Sequence, residues 1–174
     1  MSGIIIFDPN EEDTMRAYFF GNMYLSSIQQ GIQAAHVVAE MFVKYPEDVD
    51  AASNTLREWA ICSKTMILLN GGYLDTINKL REFFSNKKNP YPWAPFYEGE
   101  DALGGVLTTV GIILPEKIYE TASLIRSKVI DPVYLEEFGS YTKTDETTGQ
   151  TTTWEYSAWE FKLIEQLNMF GLAS

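Results

Sequence analysis

The 174-residue sequence predicts an α/β fold in which helices pack on a buried sheet. Two short apolar runs end in glycines, as strands in a protein interior do, and a long stretch of helical periodicity separates them. Helical and strand patterns then alternate along the chain in the order β, α, α, β, α, β, β. A chain of this length suits one domain that buries about 70% of its unfolded surface.

The first strand and helix have the clearest patterns. The aromatic-rich run 15–25 predicts a buried strand that ends at Gly21 and Asn22. A helix capped by Ser26 or Ser27 is expected to follow, up to about residue 45. Apolar residues recur along it at steps of three and four, which predicts the stripe that packs on the sheet. That stripe consists of Ile28, Ile32, Ala35, Ala39 and Phe42.

The middle of the chain completes the predicted sheet. Pro46 is expected in the first turn of a second helix over 46–62, because proline suits that position. The apolar run 64–70 predicts a central strand, and a third helix follows over 73–86. Three prolines restrict 87–105 to an edge strand or loop, where aromatic side chains serve either as packing or as a stacking wall for a base. Residues 106–115 predict the last strand of the sheet.

The C-terminal 60 residues predict a helix, a hairpin and a final helix. The hairpin has Thr-rich arms around a turn at Thr148 and Gly149, and Ser157 opens the final helix. We expect residues 1–118 to form the core and residues 119–174 an extension docked on it. The final helix carries more apolar residues than one helix usually hides, which predicts a homo-oligomer. These residues are Trp159, Phe161, Leu163, Ile164, Leu167 and Phe170.

Charge and composition restrict the partners. The net charge of −11 disfavours a large nucleic acid, although a small phosphate-bearing ligand remains compatible, and the charge also serves solubility. The single Cys62 excludes an internal disulfide and a multi-cysteine zinc site, which favours a cytoplasmic location. No apolar run approaches the roughly 20 residues of a membrane span. The single histidine, His36, has no second ligand at metal-binding spacing, so neither a metal nor another cofactor is expected.

Two stretches carry a family resemblance. The sequence QAAHVVAE (33–40) and the sequence FYEGEDALGGVLTTVGIILP (96–115) resemble the first helix and last strands of archaeal and eukaryotic-type peptidyl-tRNA hydrolases. Gln33 and His36 fall on the family's Gln and His, and Gly99 falls on its Gly. Phage-encoded proteins of the same fold are more loosely similar. Over residues 15–118 the resemblance implies three α/β/α layers around a small mixed sheet.

The departures from that family fall on its chemistry. Its lysine position holds Gln29, or Ile32 in a slipped register. Its Asp falls on Tyr97, next to Glu98, and its Thr falls on Asp101. Ester hydrolysis on tRNA needs an electropositive site that stabilises the developing oxyanion. We therefore expect a rebuilt site; the alternative is an active peptidyl-tRNA hydrolase with a displaced catalytic group and His36 as its base.

A ligand site is predicted at the start of the first helix. Gln29, Gln33, His36 and Glu40 lie within about 60° of one another, and amides with an imidazole suit a base edge or a ribose. The N–H groups at Ser26 and Ser27 suit a phosphate. The pocket is expected to extend to Asn70, Tyr97, Glu98 and Asp101, in the loops 70–73 and 97–106.

The predicted function is non-catalytic sequestration of a small nucleotide-type ligand. The analogy is with phage proteins that capture nucleotide immune signals, and it is an analogy of class. Three plainer alternatives stay open. In the first, His36 is a helix-face residue bonded to Glu40. In the second, the acidic segment with Glu98, Glu100 and Asp101 is a solvated loop and not a divalent-cation site. In the third, the protein is a structural or interaction module.

Overall fold

The computed structural model describes residues 15–47, 49–99, 101 and 104–173. Its contacts divide the chain into two units, one formed by residues 15–115 with 170–173 and one by residues 116–169. The expected boundary between residues 118 and 119 lies close to this division. Docking of the C-terminal extension on the core stays a prediction.

A mixed four-stranded sheet forms the centre of the first unit and confirms the predicted α/β class. The strands are β1 (Met15–Gly21), β2 (Met66–Asn70), β3 (Trp93–Tyr97) and β4 (Leu107–Pro115), arranged in the order β2-β1-β4-β3. Strand β1 is parallel to β2 and antiparallel to β4, which is antiparallel to β3. The prediction that β2 is a central strand is wrong: it lies at one end of this order, and β1 and β4 are central.

Helices lie on both faces of the sheet. Helix α1 (Ser27–Lys44) precedes α2 (Ala51–Glu58), which continues into a π-helical turn (Trp59–Ser63), and α3 (Leu74–Phe84) follows β2. Consecutive strand residues point to opposite faces. Phe19 joins the cluster that contains Val37 of α1, whereas the Phe20 ring lies 5.8 Å from the Phe84 ring of α3.

Two helix predictions are corrected by the structure. Helix α2 begins after Asp50, whose side chain accepts a hydrogen bond from Ser53 N at 2.8 Å, and not at Pro46. A carboxylate cap satisfies an N–H group that would otherwise lack a partner, so it determines where the helix starts. In α1 the predicted apolar stripe is exposed. The buried residues of α1 are Gln30, Gln33, Ala34, Val37 and Met41.

The close approach of α1 to the sheet explains why the face opposite the predicted stripe is the buried one. A Cβ atom at Gly111 would lie 2.7 Å from Val37 Cγ1 and 2.8 Å from Phe19 Cδ1. The missing side chain at Gly111 lets α1 approach β4 closely at Val37. Both faces of α1 carry residues at steps of three and four, so the period predicts a helix but not its buried side.

The second unit contains the predicted helix, hairpin and helix. These elements are α4 (Glu116–Arg126), the hairpin strands β5 (Ser140–Thr144) and β6 (Thr151–Glu155), and α6 (Ala158–Asn168). A further short helix that was not predicted, α5 (Pro132–Phe138), lies between α4 and β5. Strands β5 and β6 are antiparallel, and Gly149 in the turn has φ +71°. A capping box at Ser157 starts α6 as predicted.

The apolar residues of α6 are more buried than expected. Trp159, Leu163, Ile164 and Leu167 are all buried, so the argument for a homo-oligomer that rested on this helix is wrong. Homo-oligomerisation itself stays a prediction. Within the described residues, none of the helices has the length and apolar character that a membrane span requires.

Candidate functional site

The carboxyl edge of the sheet brings several predicted site residues together. We use this name for the end of the sheet where β1 stops at Gly21 and β2 at Asn70, which are paired in register. Strand β3 ends there at Tyr97, opposite Leu107 at the start of β4. Helices α1 and α3 follow β1 and β2, so both begin at this edge. Open α/β sheets commonly bind ligands at this position.

Two glycines hold the loops of the edge against each other. Gly71 N donates to Gly21 O at 2.8 Å, and a Cβ at position 71 would lie 2.9 Å from that carbonyl oxygen. Gly72 has φ +74°, and its carbonyl accepts from Met23 N at 2.9 Å. Asn70 Oδ1 accepts from Gly72 N at 2.9 Å. The Asn70 side chain therefore shapes this turn, which fixes the β1–α1 and β2–α3 loops relative to each other.

Two of the predicted ligand residues, Ser26 and Gln29, form the N-terminal cap of α1. Ser26 Oγ accepts from Gln29 N at 3.3 Å, and Gln29 Oε1 accepts from Ser26 N at 2.9 Å. This capping box engages the Gln29 side chain, which is exposed but bonded locally. Ser27 is exposed as the first helical residue, and the first turn of α1 contains no acidic residue.

Gln33 lies inside the protein, and its amide has partners at both ends. Its Nε2 donates to Glu98 Oε1, and its Oε1 accepts from Thr108 Oγ1 at 3.4 Å. Thr108 Oγ1 also lies 3.4 Å from the Phe96 carbonyl. The structure thus brings Gln33 and Glu98, two of the predicted ligand residues, together. Their contact is part of the packing between α1 and the two strands β3 and β4.

His36 and Glu40 lie on the exposed side of the predicted helix face. The His36 ring is 4.4 Å from the Phe96 ring, centroid to centroid, and the planes are tilted by 45°. Among the residues that the structure describes, the imidazole contacts the Phe96 ring and has no hydrogen bond to Glu40. Asp101 is exposed, but several of its neighbours lie outside the described residues.

An exposed tyrosine pair at the edge was missed by the sequence reasoning. Tyr24 and Tyr73 are 78% and 54% exposed, and their ring centroids lie 5.5 Å apart at 59°. The sequence contains a signal for this pair. Tyr24 comes shortly after β1, which ends at Gly21, and Tyr73 comes directly after the two glycines that follow β2. Tyr97 is also exposed, and its hydroxyl accepts from Arg81 Nη1 at 3.3 Å.

The lysine of α1 lies far from this edge. Lys44 is the last residue of the helix and stands 15 residues after Gln29, a distance of about 22 Å at 1.5 Å per residue. Its Nζ donates to the Trp93 carbonyl at 3.0 Å and lies 3.5 Å from the Trp93 ring centroid. Burial lowers the pKa of Lys44 to about 8.

Other ligand chemistries find less support among the described residues. No group of three or more His, Cys, Asp or Glu side chains in that part of the chain is placed to hold a metal ion. The second unit contains a cleft of about 420 Å³ lined by Asp131, Tyr134 and Tyr141, among others. None of the residues predicted to bind a ligand lines this cleft.

No protein-family model matches the chain, and no curated protein sequence matches it. The structure defines the class as a mixed α/β protein. Three exposed tyrosines, Tyr24, Tyr73 and Tyr97, lie at the carboxyl edge of its sheet.

Proposed function

We propose that the protein binds a small nucleotide-type ligand at the carboxyl edge and holds it without chemical conversion. The observation that carries the proposal is the exposed Tyr24–Tyr73 pair next to the start of α1. Such binding would sequester a nucleotide signal, the role suggested by analogy with phage proteins.

The tyrosine pair suits a nucleobase. Base stacking on an aromatic side chain is worth about 1 to 3 kcal/mol per base and tolerates different bases. The rigid turns at Gly71 and Gly72 fix the loops that carry both rings, so little ordering is needed on binding. A base stacked on Tyr24 or Tyr73 would extend the aromatic contact that the two rings already make.

The start of α1 suits the phosphate. Peptide N–H groups and the helix dipole favour an anion there, and no first-turn carboxylate opposes it. Helix α3 is less suitable because Asp75 occupies its first turn. This difference favours an orientation with the base on the tyrosine pair and the phosphate toward Ser27.

The absence of conversion is supported by the residues at the start of α1. Ester hydrolysis needs a group that stabilises the oxyanion. Gln29 holds the lysine position of the resembling family and caps its own helix, whereas Lys44 lies about 22 Å away along the helix. We therefore expect no multiple turnover of peptidyl-tRNA at physiological salt. Robust turnover that is lost in His36→Ala would overturn this proposal in favour of the hydrolase.

The test of binding is heat denaturation against mononucleotides, cyclic nucleotides and dinucleotides, followed by calorimetry of each ligand that stabilises the protein. A ligand at 100 times its Kd adds about 2.7 kcal/mol of stability. Chromatography of the ligand released by denaturation should recover it unchanged.

Variants of the tyrosine pair supply the decisive comparison. We expect Tyr24→Ala and Tyr73→Ala each to weaken binding by about 1 to 3 kcal/mol, the value of one stacked base. Tyr134→Ala is the matched control, because Tyr134 is a half-exposed tyrosine in the second unit. Normal binding by both edge variants, or no stabilising ligand in the panel, would contradict the proposal.

A further inference from the structure

The outer face of α1 is apolar and largely exposed; its least exposed large side chain is Phe42, at 39%, whose ring centroid lies 5.8 Å from Arg57 Cζ. We call Ile28, Ile32, Ala35, Ala39 and Phe42 the outer stripe; all five are exposed, and Ile28 is 77% exposed. Val43 lies next to the stripe and is 80% exposed. A helix in a monomer normally turns such a stripe toward its own core. Here the opposite side of the helix packs on the sheet.

Charge is absent from most of this helix. Residues 27–39 contain no Asp, Glu, Lys or Arg, although the chain as a whole has a net charge of −11. A helix face intended for water usually carries long charged side chains, whereas the centre of a protein interface is depleted of them. The composition of the outer stripe and its surroundings is therefore that of an interface.

The spacing of the outer stripe suits another helix. Its residues follow one another at steps of four, three, four and three, an average of 3.5. This is the spacing of a seam along which two helices pack side by side at a small crossing angle.

We propose that the outer stripe binds the outer stripe of a second copy of this chain, with the two α1 helices antiparallel around a twofold axis near Ala35. Ile28 and Phe42 lie seven residues on either side of Ala35, and Ile32 and Ala39 lie three and four residues on either side, so the stripe is close to symmetric about Ala35. Ile28 of one copy then faces Phe42 of the other, Ile32 lies within one residue of the level of Ala39, and Ala35 faces its own counterpart. A twofold interface needs such a self-complementary surface.

Electrostatics favours a second copy as the occupant, and the exposed apolar area suits the centre of such an interface. Two chains of charge −11 repel each other, and the neutral stretch 27–39 lets them meet without opposing carboxylates. A basic partner would instead need acidic residues on this face. The outer stripe with Val43 exposes roughly 350 Å² of apolar surface at about 30 Å² per carbon. That is a little under half of the about 800 Å² that each partner buries in a standard interface, where a polar rim supplies the rest.

Light scattering after size exclusion tests the association. At tens of micromolar we expect the full chain to have twice the monomer mass of 19.8 kDa. Ala35→Glu places two carboxylates against each other across the axis and should raise the dimer dissociation constant at least 100-fold, with unchanged circular dichroism. Ala51→Glu is the matched control, because Ala51 is exposed in the first turn of α2, and it should stay dimeric.

Cross-linking tests the antiparallel pairing. In a Cys62→Ser background, a mixture of Ile28→Cys and Phe42→Cys chains should form a disulfide between copies, and Ile28→Cys alone should not. A monomeric wild-type mass, a dimer that survives Ala35→Glu, or cross-linking by Ile28→Cys alone would each overturn the proposal. A monomer would mean that something other than a second copy covers the face.

Discussion

Replacement of Gln33 by alanine separates a structural role of this residue from a ligand-binding role. Gln33 is buried, and its amide donates to Glu98 and accepts from Thr108 at 3.4 Å. Loss of a hydrogen bond to a charged group costs about 1.5 to 3 kcal/mol. Glu98 is half-buried, so water replaces part of that bond, whereas removal of the buried amide stem adds a packing loss. We expect Gln33→Ala to lower the free energy of unfolding by about 2 to 3 kcal/mol.

The assay is chemical and thermal unfolding of the purified protein. For a chain of this size each kcal/mol lowers Tm by about 2 to 4 °C, so the expected fall is roughly 4 to 12 °C. Glu40→Ala is the control, an exposed change on the same helix that should stay within about 0.5 kcal/mol of wild type. A double-mutant cycle with Glu98→Ala should give a coupling energy of at least about 1 kcal/mol. Equal stability of the Gln33→Ala and Glu40→Ala variants would refute the reasoning.

Two further predictions concern packing and pH. Gly111→Ala should destabilise the protein by about 1 to 3 kcal/mol in denaturant unfolding, because its Cβ would lie within 3 Å of buried atoms of Val37 and Phe19. Gly99→Ala is the control: its Cβ would lie in open space, and the variant should stay within about 0.5 kcal/mol of wild type. Burial raises the pKa of Tyr156 to about 12, and its hydroxyl lies 2.7 Å from Thr121 Oγ1. The raised pKa contributes stability that is fully present below about pH 10 and is lost as the pH rises toward 12. Unfolding measured between pH 9 and 12 should show this loss in wild type and a smaller loss in Tyr156→Phe; identical pH profiles would contradict it.

Local residue patterns predicted most of the elements of this protein and their order, but not the short helix α5 (Pro132–Phe138). Glycines after the first two strands, serines before α1 and α6, and a glycine in the hairpin turn act on backbone groups a few residues away. Their effects therefore appear in the sequence itself. The α/β class, the order of strands and helices in the first unit, a serine cap at the start of α1 and the capping box at Ser157 were predictable for this reason.

The tertiary structure alone decided which side of α1 is buried and which edge residues meet. Gln33 and Glu98 are 65 residues apart, and Tyr24 and Tyr73 come from loops after different strands. Both faces of α1 carry the helical period, so only the space left by Gly111 and the polar partners of Gln33 select the inner one. The position of β2 at the end of the strand order likewise depends on which strands pair with β1 and β4. Such choices depend on packing between distant segments, which a local pattern does not contain.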